Sequence, residues 1–274
     1  MAVAFDASEK IAFPPDRLSG TTRGTVIDRW IYVFTAASFI AIALAGFVPD
    51  SFSKIAGIKA GMHAPFPLAL HFHAVLMASF LFLLLAQTVL VALGRRDWHM
   101  QLGVVSAVLV PALVVATLFA VPAIYHGYWN VVQTGSAPAR QALQRFMPVL
   151  DDILLLQLRI ALIFPLLMWI ALRSRSRNPG LHKRLILLAT APLFAAAFDR
   201  IDWLPSTMPR SPLAPDIYIL LTVTPMFIWD LARNRTLHRA YLIFAALFIP
   251  LSIVVYGLWD SPWWHAAARH LMRV

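Results

Sequence analysis

The stretch PFPLALHFHAVLMASFLFLLLAQTVLVALGRRDWHMQLGVVSAVLVPALVVATLFAVPAI, residues 65–124, decides how the chain must be read. Two runs without Asp, Glu, Lys or Arg, 67–93 and 102–124, flank the charged turn GRRDWHMQ at 94–101. A hydrocarbon core of about 30 Å takes roughly 20 apolar residues in a helix rising 1.5 Å per residue, so each run is long enough to cross a bilayer. The pair reads as one transmembrane helical hairpin. The first run is longer than a crossing needs, which implies a tilted helix or a protruding end.

Outward from this hairpin the same pattern recurs at 30–48, 153–172, 185–204, 217–231 and 241–258. The expected fold is therefore an all-α polytopic membrane helix bundle of seven transmembrane helices. Composition agrees, because 60% of the 274 residues are hydrophobic and 13% charged, against roughly 45–50% and 25% in soluble domains. The expected organisation is a polar N-terminal segment, 1–29, a transmembrane domain, 30–259, and an amphipathic tail, 260–274. Asp6, Glu9, Pro14, Pro15 and Asp16 precede any apolar segment, so the N-terminal segment does not read as a secretory signal.

Lysine and arginine give the orientation. The N-terminal segment and the loops 94–101, 173–184 and 232–240 carry fourteen of them, against eight on the opposite side. The positive-inside rule then puts the N-terminus in the cytoplasm and the C-terminal tail in the periplasm. The net charge of +10 resides in these short loops and implies no nucleic-acid partner.

Three loops on the basic side, ALGRRDWH, ALRSRSRNPGLH and LARNRTLH, place His99, His182 and His238 at the start of the next helix, and Pro111, Pro192 and Pro250 follow 12, 10 and 12 residues later. One reading is a leading helix plus three similar helical hairpins. The other is that interfacial histidines and basic loops recur because the interface demands them.

The chain has no cysteine, so any haem or metal must be held by His, Met, Asp or Glu. His99, His182 and His238, at equivalent places, are candidates for one shared metal site. On the second helix His71 and His73 lie roughly 200° apart, so only one can face a given partner. Gln87 returns to the face of His73, which makes His73 the better candidate ligand. In the fourth helix Arg159 stands seven residues after Asp152, on the same face, and the antiparallel fifth helix brings Asp199 and Asp202 to a similar level. A charge within hydrocarbon normally meets a partner or a wet cavity. A polar pocket of Asp152, Arg159, Asp199, Asp202 and Gln87 is thus expected, suited to haem propionates, a quinone headgroup or water; the alternative is a set of ion pairs closing the bundle. Prolines 111, 165, 192, 225 and 250 can kink their helices. No phosphate-binding loop, HExxH, G-x-S-x-G or dense histidine box is present, and the last span has no lysine for a retinal Schiff base.

The segments PFPLALHFHAVLMASFLFLLLAQTVLVALGRRDWHMQLG, GLHKRLILLATAPLFAAAFDRIDWLP and WDLARNRTLHRAYL resemble a family of uncharacterised multi-pass bacterial inner-membrane proteins. That resemblance implies the bacterial inner membrane as location and no activity. More loosely, a histidine inside one helix followed by another opening the next in WHMQLG is similar to di-haem cytochromes b of the ascorbate-linked electron-carrier type. This similarity implies haem b held by His71 or His73, His99, His126 and His182, with electron transfer to or from quinone. Three functions follow as expectations: a histidine-ligated haem or metal redox protein linked to quinone, a noncatalytic subunit or assembly partner of other membrane subunits, and a small-molecule transporter or binding protein.

Overall fold

The structure is a computed structural model that describes Asp16, Leu18 and residues 25–60 and 65–274; most of the N-terminal segment 1–29 lies outside the described residues. Seven helical segments in that region are long and apolar enough to cross a membrane. Helix α1 (Val26–Lys59) opens on a capping box, in which Thr25 accepts from the Asp28 amide and Asp28 from the Thr25 amide. It runs past Pro49 without a break and beyond the expected 30–48. α2 (Leu68–Ala92) and α3 (Arg96–Thr134) form the first hairpin, closed by Gly94 at φ +75°.

The expected extramembrane loop 125–152 is helix almost throughout. α3 continues to Thr134, and only Gly135 and Ser136 separate it from α4 (Ala137–Ser174). At 1.5 Å per residue, α3 is about 58 Å long, far more than the hydrocarbon thickness. The protruding ends hold together because Tyr125 and Val132 of α3 bury against Met147, Leu150 and Leu154 of α4. A polar outer face on each helix makes the segment read as loop, while the apolar stripe between them forms a second core.

α5 (Pro179–Thr190) is the centre of the bundle, with Leu185, Leu187, Leu188 and Ala189 at most 1% exposed. Around Pro192 the helix tightens into a 3₁₀ turn, Ala191–Phe194, before the short α6 (Ala195–Phe198). Of the five mid-helix prolines, this is the one that interrupts its helix; the others sit within continuous α-helix. α7 (Leu213–Asn234), α8 (Arg239–Leu258) and the amphipathic α9 (Pro262–Met272) complete the chain.

The three hairpins occur in the expected order but differ in closure. α2 packs along α3 and α4 along α5, whereas α7 leans on α1 and on the 191–198 turn while α8 leans on α4 and α5. The last two helices therefore diverge. Large apolar side chains such as Phe72, Phe82, Val108 and Phe119 stand 60% or more exposed around the bundle, a belt that suits a lipid bilayer and not water.

Close approach of α1 to α6 depends on Gly46, where a Cβ would stand 2.3 Å from the Ala197 carbonyl oxygen. Because backbone cannot yield cheaply, Gly46→Val should cost about 1–3 kcal/mol by overpacking. Gly127→Val, with nothing within 4 Å of the added Cβ, is the control. Thermal unfolding in detergent should drop clearly for the first variant and little for the second; equal melting temperatures would contradict this packing.

Candidate polar site between helices 4, 7 and 8

Arg159 in the middle of α4 is 2% exposed, and an unpaired guanidinium at that depth is costly. Its partner is Asp216, in the first turn of α7, where the helix dipole also favours a carboxylate. Arg159 Nη1 donates to Asp216 Oδ2 at 2.7 Å and Nη2 to Oδ1 at 2.5 Å, a two-pronged pair. Nη1 also donates to Ser252 of α8 at 2.8 Å, and the Tyr256 hydroxyl donates to Asp216 at 3.1 Å. The guanidinium lies 4.9 Å from the centre of the Phe248 ring, and its Nε is buried with no partner.

Asp216, Ser252, Tyr256 and Phe248 of this set line a groove of about 350 Å³ between the diverging α7 and α8, and Arg159 lies behind them, outside its lining. Its walls are apolar, including Leu220, Phe244, Phe248 and Ile249, and Asp216, Ser252 and Tyr256 supply the polar atoms. Leu220 is 44% and Ile249 55% exposed, so the groove opens sideways onto the apolar belt.

The expected pocket is thus real in only one of its members. Asp152 turns away from Arg159 and accepts the Asp260 amide at 3.0 Å. Asp199 bonds within its own loop to Ser206, and Asp202 is exposed. Gln87 lies at the opposite end of the bundle, near Gly103 and His99, with both polar atoms of its side chain buried and unpartnered. Asp152 shares the face of Arg159, but about 10 Å of helix separates the two, and Asp216 arrives at the level of Arg159 itself.

The histidines disperse. His71 and His126 are exposed, and His73 Nδ1 is 3.1 Å from the Thr117 hydroxyl. His126 stands nine residues beyond Thr117 on α3, about 13 Å away in depth. His182 Nδ1 is 2.8 Å from the Ala171 carbonyl oxygen, and the ring is within electrostatic reach of His99. His238 caps α8, accepting the Ala240 amide at 3.1 Å. His99, His182 and His238 each stand at a helix start on the basic face, yet among the described residues they do not gather as one ligand set; the group that does is Asp152, Asp260 and His265.

His238 sits instead beside a second buried arginine that sequence reasoning did not single out. Arg184 of α5, 0% exposed, bonds Asp230 of α7 through Nε and Nη2, and Asp16 at 2.8 and 3.0 Å. Lys183 donates to the Leu18 carbonyl, and Asn234 bonds both Asp230 and Asp16. This network fixes Asp16 and Leu18 against α5 and α7. Burial alone would raise the Asp16 carboxyl, but the hydrogen bonds of Arg184 and the charge of Lys183 hold it well below the usual carboxylate range.

Removing one partner of a buried ion pair strands the other. Arg159→Met should therefore cost about 3–5 kcal/mol, and adding Asp216→Leu should recover most of it. Adding Asp199→Asn should recover nothing, and melting temperatures of the three variants decide between the partners. The second network predicts a pH dependence. Burial and the Arg184 charge push His238 down from 6.5 to about 4, so between those values the unfolded chain binds a proton that the folded chain refuses. Stability should fall as pH is lowered through that window and level off below it, and His238→Asn, which keeps the cap, should flatten that slope.

No family model, curated protein or solved structure matches the chain, so the functional reading rests on the geometry of these residues.

Proposed function

We propose that the chain is an integral membrane binding protein for a lipid-soluble molecule with a compact hydrogen-bonding head, of the quinone class, which enters between α7 and α8 from the bilayer. The observation that carries this reading is an apolar, laterally open groove whose polar lining residues, Asp216, Ser252 and Tyr256, are held in place by the buried Arg159 behind them. Ligand sites are typically apolar clefts in which a few placed polar groups fix orientation. Here the Ser252 hydroxyl, which accepts from Arg159 and keeps its own proton to give, offers a donor to a carbonyl or hydroxyl head, and the Tyr256 oxygen and the Asp216 carboxylate offer acceptors. The walls between Leu220 and Ile249 offer a channel for an acyl or prenyl chain. Dispersed histidines give electron transfer through a bound haem less support than this cluster gives to ligand binding.

A second reading, a structural tie inside a noncatalytic subunit of the bacterial inner membrane, is favoured by the satisfaction of Arg159 by Asp216 and Ser252. Binding of decylubiquinone to the protein in nanodiscs, followed by tryptophan fluorescence, separates the two. Saturable binding should weaken tenfold or more in Ala245→Phe and Leu220→Trp, which fill the groove, with melting temperatures unchanged. That loss is about 1.4 kcal/mol or more. Wild-type protein that neither binds the quinone nor co-purifies with any extractable lipid-soluble molecule would leave only the structural reading.

A further inference from the structure

In the half of α4 away from the basic loops, a different set of side chains comes together under α9. One ligand atom from each of Asp152, Asp260 and His265 lies within 4.8 Å of the other two. His265 Nε2 is 3.4 Å from Asp260 Oδ1, and the Asp260 amide donates to Asp152 Oδ1 at 3.0 Å. Neighbouring ligand atoms around a tetrahedral ion with bonds near 2.0–2.1 Å stand about 3.3–3.4 Å apart. The His265–Asp260 spacing is of that size.

Behind the imidazole stands Asp151, which is 0% exposed. Its Oδ1 accepts the Tyr125 hydroxyl at 2.5 Å, and its backbone carbonyl accepts the Trp264 indole at 2.7 Å. Its Oδ2 has no hydrogen-bond partner, and it faces His265 Nδ1, equally buried and unpartnered, at 3.3 Å. A carboxylate on the far nitrogen of a metal-binding histidine fixes its tautomer and aims the ring. With Nδ1 turned to Asp151, Nε2 is the nitrogen left for a ligand, and it is the one that points to Asp260.

We propose that Asp152, Asp260 and His265 form a divalent transition-metal site of the zinc class, with His265 ligating through Nε2 and Asp151 as its positioning residue. Charge favours the assignment. Three carboxylates, Asp151, Asp152 and Asp260, face one guanidinium, that of Arg269, whose Nε is 3.5 Å from Asp151 Oδ2. A divalent cation offsets the remainder. Mixed nitrogen and oxygen donors suit zinc, cobalt or manganese, whereas calcium takes 6–8 oxygens. Asp260 is 80% exposed on its side chain, so the site opens to water and leaves a coordination position free. The ion ties α9 to α4. This site shares no residue with the groove between α7 and α8, so the two readings stand or fall separately.

The test uses full-length protein stripped with EDTA and titrated with cobalt(II) chloride, followed by visible absorption, and with zinc chloride, followed by calorimetry and thermal unfolding. One ion per chain should bind, with d–d bands for cobalt and a higher melting temperature in zinc. His265→Ala and Asp260→Asn should each weaken binding at least tenfold, and Asp151→Asn should weaken it by about 10–100-fold while keeping one site. Asp260 is exposed enough that its variant folds even if Asp152→Asn does not. Zinc affinity and cobalt bands that are the same in wild type and in the Asp260→Asn, His265→Ala double variant mean an ordinary ion-pair cluster and overturn the assignment, as does tighter binding of calcium than of zinc.

Discussion

The cost of an unpaired guanidinium away from water governs this bundle. Arg159 and Arg184 are both essentially inaccessible, and each must therefore find carboxylates on other helices before the bundle can close. Both find them on α7. Arg159 takes Asp216 at the start of that helix and Arg184 takes Asp230 near its end, so two ion pairs about 21 Å apart along α7 fasten it to α4 and α5. Hydrophobic packing alone gives little direction to a helix whose neighbours and solvent are equally apolar. The ionic ties supply that direction.

This arrangement accounts for the departure of the last hairpin from the first two. The short basic turns after α2 and α4 leave their helices to pack along each other, but α7 is held by Arg184 and Arg159 and by its packing on α1, while α8 follows α4 and α5. Arg235 in the left-handed conformation and the His238 cap turn the chain sharply between them. The two helices leave that turn toward different neighbours. The groove between them is thus a consequence of where the two arginines sit, and Asp216, the carboxylate of one of these ion pairs, is among its lining residues.

Hydropathy made the seven spans legible, because a run of roughly twenty apolar residues has few other uses. It failed at 125–152, where Arg140, Arg145 and Gln144 read as loop although Phe146, Met147 and Leu150 fall on a buried stripe. A helix projecting from a membrane obeys the amphipathic rule of soluble helices, so a transmembrane scale overlooks it. The need of Arg159 for a partner was legible, and the partner was not. Asp152 matched by face, yet a helix side chain leans toward its own N-terminus by only a few ångströms, short of the rise over seven residues. Asp216 stood one residue outside the expected sixth span, and depth in the membrane was the signal that would have found it. Arg184 and Asp230 lay in LHKRL and WDLARN, where charges beside a basic loop look like topology signals until burial is known.

The C-terminal end of α8 links the two polar regions. Tyr256 donates to Asp216 in the groove, and Asp260, four residues later at φ +52°, reaches Asp152 and His265 under α9. Between them Trp259 donates from its indole to the Pro209 carbonyl, pinning the junction to the loop that leads into α7. The helix stops at Leu258, and Trp259 at ψ 131° with Asp260 at φ +52° turns the chain out of it toward α9. The end of α8 is thus tied to α4 on both sides of that turn, through Asp216 to Arg159 before it and through the Asp260 amide to Asp152 after it.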